Sequence, residues 1–142
     1  MKIRDKNGSD FALKIIKPHI IKNDPCRNAV KLIRGIQREA DFLRAFRHEN
    51  IVQLKETIQD PTLGFGIIME YAPGGTLKEQ IRKKTVSMEK SFHIVERLLD
   101  VLRFLHSGCP AYPAGIAHLD IEPKNILFDH HANIKLCDFH FS

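Results

Sequence analysis

The chain opens with two short runs containing apolar residues, MKIR and FALKIIK, on either side of Asn7-Gly8. Asn-Gly favours the tight turns whose twist matches that of paired strands, so a β-hairpin is expected here, with Lys14 inside its second strand. Pro18, Asp24 and Pro25 interrupt the pattern. In AVKLIRGIQREADFLRAF, apolar residues then recur at Val30, Ile33, Ile36, Ala40, Leu43 and Phe46, the spacing of a long amphipathic helix. NIVQLKETI and GFGIIMEYA, two apolar runs separated by the turn-like QDPTL, predict a second antiparallel pair.

After PGG, the polar TLKEQIRKK predicts a short helix. SMEKSFHIVERLLDVLRFLHSG predicts a longer one, with Ser87 as its cap and Gly108 as its stop. CPAYPAG reads as loop, and NILFD and NIKLCDF as two short strands around the turn HHAN. Strands, helix, strands, helices and a closing hairpin make an α+β class with no internal repeat.

At 142 residues and 43% hydrophobic content the chain suits one domain with a core. No apolar run approaches the roughly 18 to 20 residues that span a bilayer, and MKIRDKNGSD has no secretory core, so no membrane partner is expected. Cys26, Cys109 and Cys137 are odd in number and far apart, as reduced thiols would be. A cytoplasmic setting follows, with the nucleus left open. The excess of 22 Lys plus Arg over 17 Asp plus Glu favours anionic partners, but no motif supports nucleic acid.

Candidate chemistry changes this picture most. A lysine alternating within a strand is ordinarily a solvated side chain, and a glutamate in a charged helix ordinarily surface. Here FALK, EADFLRAFRHENIV, IIMEYAPGGTL, HLDIEPKN and DFH follow one another in an order that resembles a eukaryotic-type protein kinase domain of the Ser/Thr kind. The resemblance implies a partial kinase-like α+β fold. Residues 1–69 would form most of the small antiparallel-sheet lobe, 70–75 the hinge, and 76–142 the start of the large lobe through the catalytic loop.

It also implies ATP and Mg²⁺ as ligands and a protein as substrate or partner. Lys14 would hold the α- and β-phosphates, oriented by Glu39. Asp120 would accept the substrate hydroxyl proton, while Asn125 and Asp138 would ligate Mg²⁺. Adenine would meet main-chain groups of Glu70 and Ala72, with Met69 shaping the back of its pocket. His118 would be a packed structural histidine, His130 and His131 would lie in a solvated turn, and Gly74 and Gly75 would give a flexible exit from the hinge.

Four departures from the pattern bear on activity. The sequence shows no glycine-rich loop before FALK. Glu122 stands where Ser/Thr kinases commonly carry a lysine, a charge reversal expected to cost roughly two or three orders of magnitude in rate. Lys124, two residues on, carries the opposite sign. Leu119 and His140 replace an arginine and a glycine, and no A-P-E segment follows. The expectation is a weak or inactive kinase, with a pseudokinase-like binding module or a fragment of a longer kinase as the alternative. The long helix would leave part of its apolar face uncovered, which predicts instability, a partner or self-association.

Overall fold

A computed structural model describes residues 1–17 and 28–139. Pro18, Asp24, Pro25, Cys26 and His140 therefore lie outside the described residues. The opening hairpin is present: β1 (Lys2–Arg4) pairs antiparallel with β2 (Asp10–Ile16), and Gly8 supplies the positive φ of 83° in its turn. The expected long helix is α1 (Asn28–Ala45), and the second antiparallel pair is β3 (Leu54–Asp60) with β4 (Gly64–Glu70). The four strands form one sheet in the order β1-β2-β4-β3, so β4 lies centrally against Lys14's strand, and α1 packs across β4 and β3.

At Gly66 on β4 the sheet leaves no room for a side chain. Gly66 faces Ile15, and a Cβ there would stand 2.5 Å from the Lys14 carbonyl oxygen.

A two-stranded unit, β5 (Ile126–Phe128) with β6 (Ile134–Leu136), lies below the sheet. Its turn is shaped by Asp129, whose Oδ1 accepts hydrogen bonds from the main-chain N–H groups of His131 and Asn133, both at 2.8 Å. The short helix is α2 (Leu77–Arg82). Thr76 and Glu79 close a reciprocal capping box at its start. The long one is α3 (Met88–Ser107), where the Ser87 hydroxyl accepts from Lys90 N–H and Gly108 takes the C-cap with φ of 76°.

Three expectations need correction. The run NIVQLKETI divides: its first residues leave β3 and bind the hairpin instead, with Val52 N–H on Leu136 O at 3.0 Å and Asn50 O accepting from Leu136 N–H at 2.8 Å. Asn50 Nδ2 adds a buried bond to Ile134 O, so this segment stitches the sheet to β6. In α1, Val30 is exposed, whereas Phe42, outside the helical spacing read from the sequence, is buried. Gly74 and Gly75 are pinned rather than loose. Gly74 N–H donates to Phe128 O at 2.8 Å, and Phe128 N–H donates to Gly75 O at 3.0 Å.

The core runs from α1 to the loop after α3 as a column of rings. Phe42 stacks on Phe46 at 4.8 Å between centroids and on Phe139 at 4.3 Å, and His118 meets Phe139 at 4.5 Å edge-on. All four side chains are buried, each phenylalanine contributing about 1.5–3 kcal/mol by leaving water. One face of α3 is uncovered among the described residues: Met88, Phe92, Val95 and Leu99 are exposed while Ile94, Val101 and Leu105 are buried.

Candidate active site

Lys14 projects from β2 toward the buried side of α1, and the helical period that buries Ile36, Ala40 and Leu43 carries Glu39 to the same face. Lys14 Nζ lies 2.7 Å from Glu39 Oε2 and 2.6 Å from Asp138 Oδ1. Burial alone would lower the lysine's pKa. The Coulombic pull of Glu39 and the hydrogen bonds that Lys14 donates to Asp138 and Glu39 outweigh it, and the net shift is upward. Glu39 is 1% exposed, and its second oxygen, Oε1, is buried with no hydrogen-bond partner in the structure. An unsatisfied carboxylate oxygen this deep is costly, so the single bridge from Lys14 bears much of the charge compensation. A cavity of about 590 Å³ opens on the α1 side of this bridge, lined by Lys14, Glu39 and Asp138 together with Lys31 and Leu32.

Asp120 and Asn125 sit on the loop between α3 and β5. Asn125 Nδ2 donates to the main-chain oxygen and to Oδ2 of Asp120, both at 2.9 Å. Desolvation works to raise the Asp120 pKa, but hydrogen bonding by Asn125 and the charge of Lys124 help hold it below the ordinary carboxylate value. The loop is anchored at its other side by Lys78 N–H, which donates to Pro123 O at 2.9 Å from the first turn of α2. Cys137 N–H donates to Asn125 O at 3.0 Å, continuing the β5–β6 ladder by one step. Asp138 follows directly. The hairpin therefore brings Asp120, Asn125 and Asp138 to one side of the molecule, and Asp138 joins them to Lys14 and Glu39.

His118 is a packed residue, as expected. It is buried, its Nε2 is 3.0 Å from Cys137 O, and its Nδ1 accepts from Asp120 N–H at 3.3 Å. Two neighbouring residues take up positive φ without being glycine, Leu119 at 63° and Asp138 at 69°. Such backbone is strained for a bulky residue. Cys137, beside them, has its thiol pushed up to about 12 by burial and by the charges of Asp138 and Glu39, so it stays protonated and unreactive at neutral pH.

At the end of β4, Glu70 N–H donates to Gln53 O at 2.8 Å. The Glu70 carboxylate turns toward Lys135 on β6, with Oε1 at 2.8 Å from Nζ. Met69 is half-buried on β4 and Ala72 is buried. His130 and His131 are exposed in the hairpin turn, and no group of three or more His, Cys, Asp or Glu that could hold a metal occurs among the described residues.

Glu122 is paired with Lys124, the residue of opposite sign that the sequence sets two positions on. Lys124 Nζ lies 3.0 Å from Glu122 Oε2 and 3.6 Å from Asp120 Oδ2. The signal was present in the spacing of Asp120 and Lys124, but only the turn through Pro123 decides that these side chains meet.

A sheet with one long helix and a loop–hairpin unit, joined by a lysine bridging two carboxylates, define the class of a protein kinase fold. The family model for the protein kinase domain matches residues 1–142, and the chain belongs to that family. It is 33% identical to serine/threonine-protein kinase srk1 of Schizosaccharomyces pombe, over 89% of this chain and 22% of that protein. It is 32% identical to CBL-interacting serine/threonine-protein kinase 19 of Arabidopsis thaliana and to CBL-interacting protein kinase 10 of Oryza sativa subsp. japonica, over 96% of this chain in both cases and over 26% and 28% of those proteins. The chain thus spans about a quarter of the length of these relatives.

Proposed function

We propose that this chain carries the phosphate-handling part of a Ser/Thr protein kinase, with ATP as phosphoryl donor and a protein hydroxyl as acceptor. The observation that carries the reading is the bridge from Lys14 to both Glu39 and Asp138, with Asp120 and Asn125 bonded to each other at the head of the same hairpin. In this reading residues 1–69 are the small lobe, 70–75 the hinge and 76–142 the start of the large lobe. Lys14, released in part from Asp138, holds the α- and β-phosphates. Glu39 fixes the lysine's direction. The carbonyl of Glu70 and the main chain of Ala72 receive adenine, with Met69 behind it.

Asp138 and Asn125 offer a carboxylate and an amide oxygen, hard donors that suit Mg²⁺, and a Mg²⁺ site takes its remaining ligands from phosphates and water. The metal supplies neutralisation of phosphate charge. Asp120 accepts the proton of the attacking hydroxyl as its oxygen bonds to the γ-phosphorus, the bond to the bridging oxygen breaks, and ADP leaves with that electron pair.

The plant relatives are named for interaction with CBL, and a protein partner is part of the proposal for the whole protein. In this reading the protein works in the cytoplasm, a setting that the free thiols of Cys109 and Cys137 suit. A second reading, a nucleotide- or protein-binding module without turnover, draws on Glu122, an anion beside the proposed base. Turnover of Mg²⁺–ATP by the purified chain against a mixed Ser/Thr peptide substrate, with Asp120→Asn as control, separates the two. Turnover abolished by that substitution supports the kinase reading. Nucleotide binding that depends on Lys14, without turnover, supports the module. Absence of both would sink the site assignment.

A further inference from the structure

The loop that carries Asp120 holds a second charged cluster. Lys124 Nζ sits 3.0 Å from Glu122 Oε2 and 3.6 Å from Asp120 Oδ2, while the same Oδ2 accepts from Asn125 Nδ2 at 2.9 Å. An ordinary surface pair would have both partners in water. Here Glu122 and Lys124 are about half exposed, but the Asp120 side chain is only 16% exposed. The ammonium thus sits between the two carboxylates, nearer to Glu122 at the rim and still 3.6 Å from the carboxylate of the proposed base.

A lysine ammonium has three donors. Both carboxylates are ion-pair neighbours, and the ammonium is about half exposed, so a further anion has room to approach it. A general base must lie within hydrogen-bond reach of the hydroxyl whose proton it takes, so the phosphorus under attack lies a few ångströms beyond Asp120. An ammonium 3.6 Å from Asp120 Oδ2 is within reach of an oxygen on that phosphorus.

Resting on the phosphoryl-transfer reading, we propose that Lys124 is the catalytic-loop cation of this protein, meeting the transferred phosphoryl group, and that Glu122 is a positioning residue that holds it there. The charge reversal at position 122 is then an exchange of places rather than a loss. The positive charge arrives from two residues further along, and the negative charge at 122 aims it. Pro123 between them restricts the backbone on which both side chains are mounted.

Only ATP, not ADP, offers the γ-phosphoryl group, so the two nucleotides separate this role from a structural one. The test is an NMR titration of the ¹⁵N-labelled 142-residue chain with Mg²⁺–ATP and with Mg²⁺–ADP to millimolar concentration. Lys124→Gln should weaken ATP about tenfold, as loss of one charged hydrogen bond does, and leave ADP within about twofold. Lys124→Arg should retain most of the preference for ATP. Lys124→Glu should lose it, and the exchanged pair Glu122→Lys with Lys124→Glu should recover it. Should Lys124→Gln unfold, visible in its amide spectrum, the arginine variant and the exchanged pair read the same quantity.

If Lys14→Met abolishes binding while Lys124→Gln affects ATP and ADP alike or neither, Lys124 is a surface ion pair only; the inference falls and the site reading stands. If neither nucleotide binds saturably, both fall.

Discussion

Glu39 depends on Lys14 in a way that can be measured without any nucleotide. Replacing Lys14 by Met leaves a carboxylate that is 1% exposed without the cation 2.7 Å away. Because Lys14 itself is 37% exposed, the cost should lie below that of a fully buried pair, at about 2 kcal/mol by denaturant titration. The sign with pH follows from the raised lysine pKa. The stabilisation is present below the unfolded value of 10.5 and is lost as pH rises through the higher folded value, so wild type and Lys14→Met should converge in stability above pH 10.5. A constant difference up to pH 12 would refute this account. Leu119 offers a test of opposite sign. Its side chain is 74% exposed and its φ is 63°, so it contributes little burial while its backbone is strained. Leu119→Asn, which tolerates that conformation, should raise stability by about 0.5–1 kcal/mol, read as a higher denaturation midpoint.

Among the elements, the junction after β4 decides how the sheet and the hairpin meet. Gly74 and Gly75 are the kind of pair that reads as slack in a sequence, yet both exchange main-chain hydrogen bonds with Phe128. A Cβ on Gly74 would stand 2.7 Å from Phe128 Cβ and 2.8 Å from its carbonyl oxygen. Gly74→Ala should therefore cost about 1–3 kcal/mol through overpacking, even though residue 74 is exposed. A thermal midpoint unchanged from wild type would mean that the junction yields. Residues 50–52 make the matching link on the other side, and no periodicity marks them, because their hydrogen bonds go to a strand more than eighty positions away.

For the whole molecule, the apolar stripe of Met88, Phe92, Val95 and Leu99 on α3 is the largest expected source of association. The chain should sediment as a concentration-dependent mixture, and Phe92→Lys with Val95→Lys should shift it toward monomer without changing its helical signal. A single monomeric boundary for wild type at all concentrations would contradict this. Among the described residues no helix is long and apolar enough to cross a membrane.

Local chemistry made most elements legible. Asn7-Gly8 set the first hairpin, Ser87 and Gly108 the limits of α3, and the order of motifs the family and the residues around its site. Those signals act over a few residues, where backbone preference and side-chain period are written directly. What only the tertiary structure decided lies at contacts between distant segments: Phe42 entering the ring column through Phe139, residues 50–52 leaving β3 for β6, Gly74 closing on Phe128, and Lys124 folding back to Glu122 and Asp120. Each depends on where a neighbouring element stands, and on the cost of leaving a buried ring uncovered, a backbone group unpaired or a carboxylate without a cation, none of which a single segment of sequence encodes.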